Sequence, residues 1–151
     1  MGKALKVVGA VLGILTLIAV FLVLWTEASL DDARINATPF IKESLPILTT
    51  WEPELYEPLF TEEARVAMQS ERGKKIVTYL STLGELKAFN EPELLKTSTH
   101  TSIDGDTKES AIFKVEALFE KGPGLVRIVL RKTPEGYRVH SINISSDAFM
   151  E

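Results

Sequence analysis

The sequence contains no cysteine. Disulfides, thiolate metal sites, a cysteine nucleophile and a lipid anchor on cysteine are thereby excluded together. Histidine is nearly as scarce, with only His100 and His140. No HxH, HExxH or CxxC spacing occurs, so two histidines far apart in sequence give no basis for a metal site. No GxSxG elbow marks a serine nucleophile, and no Gly-rich loop opens a helix to cradle phosphate. Gly122-Pro123-Gly124 has the wrong setting for that role, because it lies between two strand patterns. Asp104-Gly105-Asp106 brings two carboxylates but lacks the further oxygen ligands of a calcium loop. The sequence therefore assigns no catalytic residue, no cofactor and no metal.

Positive charge is also in short supply where it would matter for polyanions. Lys3 and Lys6 are the only charged residues before Thr26, and all 21 acidic residues follow them. Of the 17 lysines and arginines, 15 lie in that later part, which leaves it with a net charge of −6. Such a domain has no electrostatic reason to seek nucleic acid or anionic headgroups, so no nucleic-acid partner is expected. The charges are nonetheless uneven. Lys108–Arg138 carries seven basic and four acidic residues, against a strongly acidic Glu27–Glu63, a division able to orient a protein partner.

What the sequence does contain is one long apolar run. Val7–Trp25 comprises 19 residues with no charge, amide or proline. At about 1.5 Å of helical rise per residue it spans about 28 Å, close to the hydrocarbon thickness of a bilayer. A cleaved secretory signal has a shorter apolar core and a small-residue site after it. Here the run abuts Thr26-Glu27-Ala28 directly, and Trp25 stands where an interfacial aromatic belongs. The run is read as an uncleaved anchor whose first partner is the bilayer itself. Lys3 and Lys6 on one side, with Glu27, Asp31 and Asp32 on the other, keep residues 1–6 in the cytoplasm and the rest outside. That place is the periplasm if the cell has two membranes. Gly9 and Gly13 form a GAVLG pattern of the kind that lets two membrane helices approach closely, although glycine is in any case common in membrane helices and that plainer reading is favoured.

Residues 26–151 are enough for one compact domain and too few for two. Leu30, Ala33, Ala37, Phe40, Ile41, Leu45 and Leu48 recur at helical spacing, with Ser29 as a candidate N-cap. Pro39 must kink this helix or divide it, and Pro46 disturbs it again. Glu52–Pro58 reads as a short turn of helix bracketed by prolines. Thr61 caps a helix that opens with Glu62 and Glu63, and Gly73 interrupts before the next one. In that next helix Ile76, Tyr79, Leu80 and Leu83 share a face, and Gly84 ends it.

From Glu85 the period becomes two. Leu86–Phe89 is extended up to Pro92, Leu95–Ile103 is strand, and Asp104-Gly105-Asp106 is a hairpin turn. Ala111–Phe119 alternates most clearly. Leu125–Lys132 follows the turn at Lys121–Gly124, and Tyr137–Ser145 follows Thr133–Gly136. Within the last strand the apolar phase changes, from Tyr137 and Val139 to Ile142 and Ile144. A bulge near Ser141 would restore one apolar face. Helices followed by about four antiparallel strands define an α+β fold, with the helices on one face of a curved sheet.

The helical block Leu30–Leu83, the LGELKAF stretch (Leu83–Phe89) and the strands Ala111–Phe119, Leu125–Lys132 and Tyr137–Ser145 together resemble the nuclear transport factor 2-like cone, also grouped with cystatin-like folds. The resemblance spans residues ~30–146 and is one of architecture. Members of that group include isomerases, dehydratases, small-ligand binders and interaction modules. Inner-membrane assembly factors of type IV secretion systems share the layout of one N-terminal span with such a domain outside it.

The resemblance implies that any ligand or substrate sits between helices and sheet, where Tyr79, Tyr137 and His140 are the candidate lining residues. His140 points into the cone or out to solvent according to where the bulge falls, and His100 lies on a solvated edge. The expectation is a membrane-anchored binding or interaction module, its partner an envelope or membrane protein, with a small-molecule ligand also open. The alternatives are a small isomerase or hydrolase using a carboxylate with Tyr or His, and a scaffold subunit of an envelope or secretion assembly.

Overall fold

Alternation along the strands decides where the core lies. Ala111, Phe113, Val115, Ala117 and Phe119 are all buried, while Lys114, Glu116 and Leu118 between them face away. The computed structural model describes residues 2–150, with the side chains of residues 25–29 excepted. The sheet is antiparallel and open, built from β1 (Leu86–Phe89), β2 (Glu93–Thr101), β3 (Thr107–Phe119), β4 (Gly122–Thr133) and β5 (Gly136–Ser145).

Strands β3, β4 and β5 form a meander, and β1 and β2 both pair with the free side of β3. β1 lies against Ala117–Phe119 and β2 against Thr107–Lys114, so two strands lie end to end along one edge. The five strands thus make four lanes. Pro92, which has no N–H to donate, falls in the break between them. Asn90 bridges the break, its backbone N–H donating to the Glu116 carbonyl at 2.8 Å and its side-chain amide to the Glu116 carboxylate at 3.1 Å.

The phase change in the last strand is resolved by a bulge. Val139 pairs with Leu130 and Ser141 with Val129, which leaves His140 as the extra residue. Val139 and Ile144 are both buried as a result, and Tyr137 and Ile142 join the same core. At the start of β4, Gly124 stands where an added Cβ would come within 3.0 Å of the Phe119 ring, so this glycine makes room for a core aromatic.

The chain divides into two units, one ending at Asp32 and one beginning at Ala33. The first is α1 (Gly2–Asp32), whose segment Gly2–Leu24 contains an 18-residue window with a mean hydropathy of 3.0, none of it buried. Helix α1 runs on through Ser29, so no helix begins there; the proposed Trp25 anchor and Ser29 cap concern side chains outside the described residues.

The second unit opens with a π turn, Ala33–Ala37, followed by α2 (Thr38–Leu48). The widened turn comes directly before Pro39, which has no N–H for the Ile35 carbonyl and whose ring would crowd it in a regular helix. Across this irregularity Ala33, Ala37, Ile41, Leu45 and Leu48 keep one buried face toward the sheet. Each large apolar side chain so buried contributes about 1.5–3 kcal/mol. The buried hydroxyls on α2 are satisfied locally, Ser44 by the Phe40 carbonyl and Thr49 by the Leu45 carbonyl at 2.9 Å.

Short helices α3 (Pro53–Tyr56), α4 (Glu62–Gln69) and α5 (Glu71–Ser81) complete the layer, with a 3-10 turn at Glu57–Leu59 after α3. Thr61 caps α4 by accepting from the Ala64 N–H at 3.2 Å, as its position before two acidic residues predicts. Trp51 adopts a left-handed φ of 61° and donates from its indole to the Gly84 carbonyl at 3.1 Å, which ties the end of α2 to the end of α5.

Two expectations fail on α5. Gly73 does not interrupt it but sits in its first turn, where Ser70 accepts the Gly73 N–H at 3.1 Å. Ile76 and Tyr79 are half exposed, and Val77 packs with Leu80 and Leu83 instead. Tyr79 stacks on Phe149, while Leu80 and Val77 take the places on the core side. Ile103 also differs: it is the fully exposed tip of the β2–β3 hairpin and not part of β2.

The tight α4–α5 corner makes a prediction with a definite sign. Helix propensity alone favours Gly73→Ala by up to about 1 kcal/mol. An added Cβ would, however, overlap the Ala67 carbonyl and the Met68 backbone. Gly73→Ala is therefore expected to destabilise the domain by about 1–3 kcal/mol in urea unfolding followed by circular dichroism.

Candidate functional site

Among the described residues, the cavity between helices and sheet is small. A cavity of about 30 Å³ lies among Trp51, Tyr56, Phe60, Leu80 and Ile142, room for no more than a water. A ligand pocket needs about 300–1,000 Å³. The polar groups that do converge lie on the opposite face of the sheet, toward the turn between β4 and β5.

Three strands and one helix start supply them. Phe60 bridges to Val139 on the outer edge of β5, and the Thr61 N–H donates to the Val139 carbonyl at 2.9 Å. Phe60 thus enters the core and Thr61, one residue on, points to the other face. There its hydroxyl oxygen lies 3.2 Å from His140 Nδ1. On β4, Arg131 alternates with buried Leu130 and so shares the outer face. Arg131 Nη1 donates to Glu63 at 2.9 Å, and Nη2 lies 3.2 Å from His140 Nε2. Lys108 on β3 reaches the other oxygen of Glu63 at 3.4 Å.

Donor inventory fixes the state of His140. A guanidinium can only donate, so Nε2 must accept from Arg131 and the ring proton resides on Nδ1. Nδ1 then donates to Thr61, whose oxygen also accepts from the Ala64 N–H. The imidazole is thereby unable to take a proton from the Thr61 hydroxyl. A nucleophile–base pair would need the opposite tautomer, which would set two donors against each other at Arg131. The Thr61 hydroxyl proton has no acceptor among the described residues, and Arg131 Nε is buried without a hydrogen-bond partner.

The electrostatics agree with this arrangement. Burial holds the His140 pKa below its ordinary value of 6.5, and the Arg131 and Lys108 charges lower it further against the opposing pull of Glu63. Hydrogen bonds from Arg131 and Lys108 hold the exposed Glu63 carboxyl below its ordinary value. Arg131 also stands directly opposite Arg138 across the β4–β5 hairpin. Like charges in that position are unfavourable. Arg138 donates to the Tyr137 carbonyl at 2.9 Å and has Glu135 at 3.9 Å as its nearest countercharge.

An open groove of about 760 Å³ runs past these groups, bordered by Pro58, Thr61, Glu63, Lys108, Arg131 and Arg138. A second open trough of about 650 Å³, beside Glu116, Leu125 and Asp147, has no comparable convergence of donors.

Of the residues singled out in the sequence, His140 alone belongs to this cluster. Tyr79 is half exposed on α5 and stacks on Phe149, with ring centroids 4.5 Å apart. Tyr137 is buried on the core face of β5. His100 is exposed on β2, opposite Lys108. Thr61, Glu63, Lys108, Arg131 and Arg138 were not singled out as a site. One signal was available: counting back from the Pro134–Glu135 turn sets Arg131 opposite Arg138. Among the described residues no cluster of three or more potential ligands could hold a metal ion. Comparison with protein-family models, curated proteins and solved structures finds no match to this chain.

The lowered His140 pKa predicts a pH dependence of stability. With the folded value below 6.5, the neutral ring's contribution is complete above pH 6.5 and is lost as pH falls through the folded pKa. An NMR titration of the ring should give a midpoint below 6.5. His140→Gln keeps one donor and one acceptor without titrating, so it should flatten the loss of stability in that range. An unchanged pH profile would refute the assignment.

Proposed function

We propose that this chain is a single-span membrane protein whose domain, from Ala33 onward, is a binding module held outside the membrane, with no reaction of its own. The observation that carries this reading is the contrast between a small interior cavity and an open polar groove on the outer face of the sheet. The cavity of about 30 Å³ between helices and sheet is too small for a substrate. The histidine on the outer face is held as a hydrogen-bond donor to Thr61 and an acceptor from Arg131, which supports positioning and not proton transfer. A helix long and apolar enough to cross a bilayer supports the anchor, and Lys3 and Lys6 before it support a cytoplasmic N-terminus. A tether of this kind restricts partners to other membrane and envelope components.

The absence of native cysteine makes the topology directly testable. Single variants Ser102→Cys, in the β2–β3 turn, and Lys3→Cys are to be expressed in cells and treated with a membrane-impermeant maleimide. Ser102→Cys should label in intact cells and Lys3→Cys only after permeabilisation. The reverse pattern would overturn the orientation. Amine-reactive cross-linking of the full chain in intact membranes should yield an adduct with another envelope protein. A pattern with no adduct would remove the binding module's support.

A further inference from the structure

We propose that the groove beside Thr61 binds a single carboxylate, an Asp or Glu side chain carried on an extended segment of the partner protein. This inference rests on the reading of the domain as a binding module and names what that module recognises.

The first support is a set of donors at the groove that the fold leaves incompletely paired. The Thr61 oxygen accepts from His140 and the Ala64 N–H, and its hydroxyl proton has no acceptor among the described residues. Arg131 uses Nη1 and Nη2 on Glu63 and His140, which leaves Nε buried and unpartnered. Lys108 spends one ammonium contact on Glu63. Arg138 is only loosely paired, with Glu135 at 3.9 Å. A planar acceptor is the complement of such a set, and guanidinium forks match carboxylates in both plane and spacing.

The second support is an unfavourable feature that such a ligand would relieve. Arg131 and Arg138 face each other directly across two paired strands, and Lys108 lies on the same face of the neighbouring strand. Glu63 answers Arg131 and Lys108, but it is fixed on α4 and does not reach Arg138. A carboxylate between the two arginines would turn their repulsion into shared attraction.

The charge around the groove selects among anions. Its border holds Arg65, Lys108, Arg131 and Arg138 against Glu62, Glu63 and Glu135, an excess of one positive charge. One carboxylate satisfies that excess. A phosphate, an anionic membrane surface or a nucleic acid would bring further negative charge against three glutamates and a domain that is acidic overall. The groove's volume of about 760 Å³ leaves room for peptide chain around the carboxylate.

The test uses the full chain in nanodiscs of zwitterionic lipid, with N-acetyl-glutamate N-methylamide as the probe. N-acetyl-glutamine N-methylamide and inorganic phosphate are the controls. Binding is followed by NMR shifts of the Arg131 Nε–H and the Thr61 amide. The glutamate probe should shift both saturably and weaken with added salt, while the glutamine probe binds at least about ten-fold more weakly. Arg138→Gln, which leaves the Glu63–Arg131–His140 contacts in place, should weaken the glutamate probe about ten-fold, and Arg138→Lys should fall between. Equal binding of both amides, non-saturating shifts, or tighter binding of phosphate would overturn the carboxylate site. In intact membranes, Arg138→Gln should also lose the cross-linked adduct. If wild type forms the adduct and Arg138→Gln keeps it, this inference fails and the binding module stands. If wild type forms none, the binding module itself fails.

Discussion

The structure depends on one geometrical constraint, the two-residue period of a strand against a single buried face. Phe113, Val115, Val126, Ile128, Leu130 and Val139 are all fully buried on that face, so every intervening residue is committed to the other. Lys108, Arg131 and Arg138 are gathered on the outer face for that reason alone. A slip of one residue would bury Lys114 and Glu116 in β3, Arg127 and Arg131 in β4 or Arg138 in β5, and would expose apolar residues in their place, so the core that stabilises the sheet also fixes the composition of the groove. The bulge at His140 departs from that period, as do the register shifts at Lys87 in β1 and Leu95 in β2. It lets β5 return Ile142 and Ile144 to the core and places an imidazole between Arg131 and Thr61.

On that outer face, arginine's inability to accept a hydrogen bond propagates through several groups. It sets the tautomer of His140, which makes Thr61 a double acceptor, which in turn turns the Thr61 hydroxyl proton outward. Thr61 therefore serves two structures at once, as the cap of α4 and as part of the groove. The same residue anchors the chain to the free edge of β5 through its N–H, so the edge is covered where the groove begins. Helix α4, the strand edge and the polar cluster are joined at a single residue.

The helical layer shows how local rules yield to packing. Pro39 and Pro46 both lie in α2, yet the apolar spacing from Ala33 to Leu48 survives them, because a π turn absorbs the first and the second is exposed, away from the buried face of Ile41, Leu45 and Leu48. Trp51 keeps a left-handed backbone against its own preference, supported by its bond to Gly84 and its place beside the core. Gly73 is retained in a helix for the opposite reason, since the neighbouring chain leaves no space for a side chain.

Much of the fold was legible in the sequence. The apolar helix, the Thr61 cap, the hairpin at Asp104–Asp106, the alternation of β3 and the need for a bulge in β5 all follow from short-range patterns in which one residue's neighbours suffice. Ile76, Tyr79 and Gly73 were misread because the contacts of α5 with α4 and with Phe149 are encoded in no periodicity. The outer-face site was legible only in one part, the Arg131–Arg138 pair across a short turn. The contact between Thr61 and His140 joins residues 79 apart, and that between Glu63 and Arg131 residues 68 apart. Sequence by itself determined which residues alternate, which cap and which form a helix long and apolar enough to cross a bilayer, since those depend on period and polarity. Only the tertiary structure decided that the cavity between helices and sheet is small and that the polar groups meet outside it, because burial volume and long-range hydrogen bonds exist only once the strands are paired and the helices are laid against them.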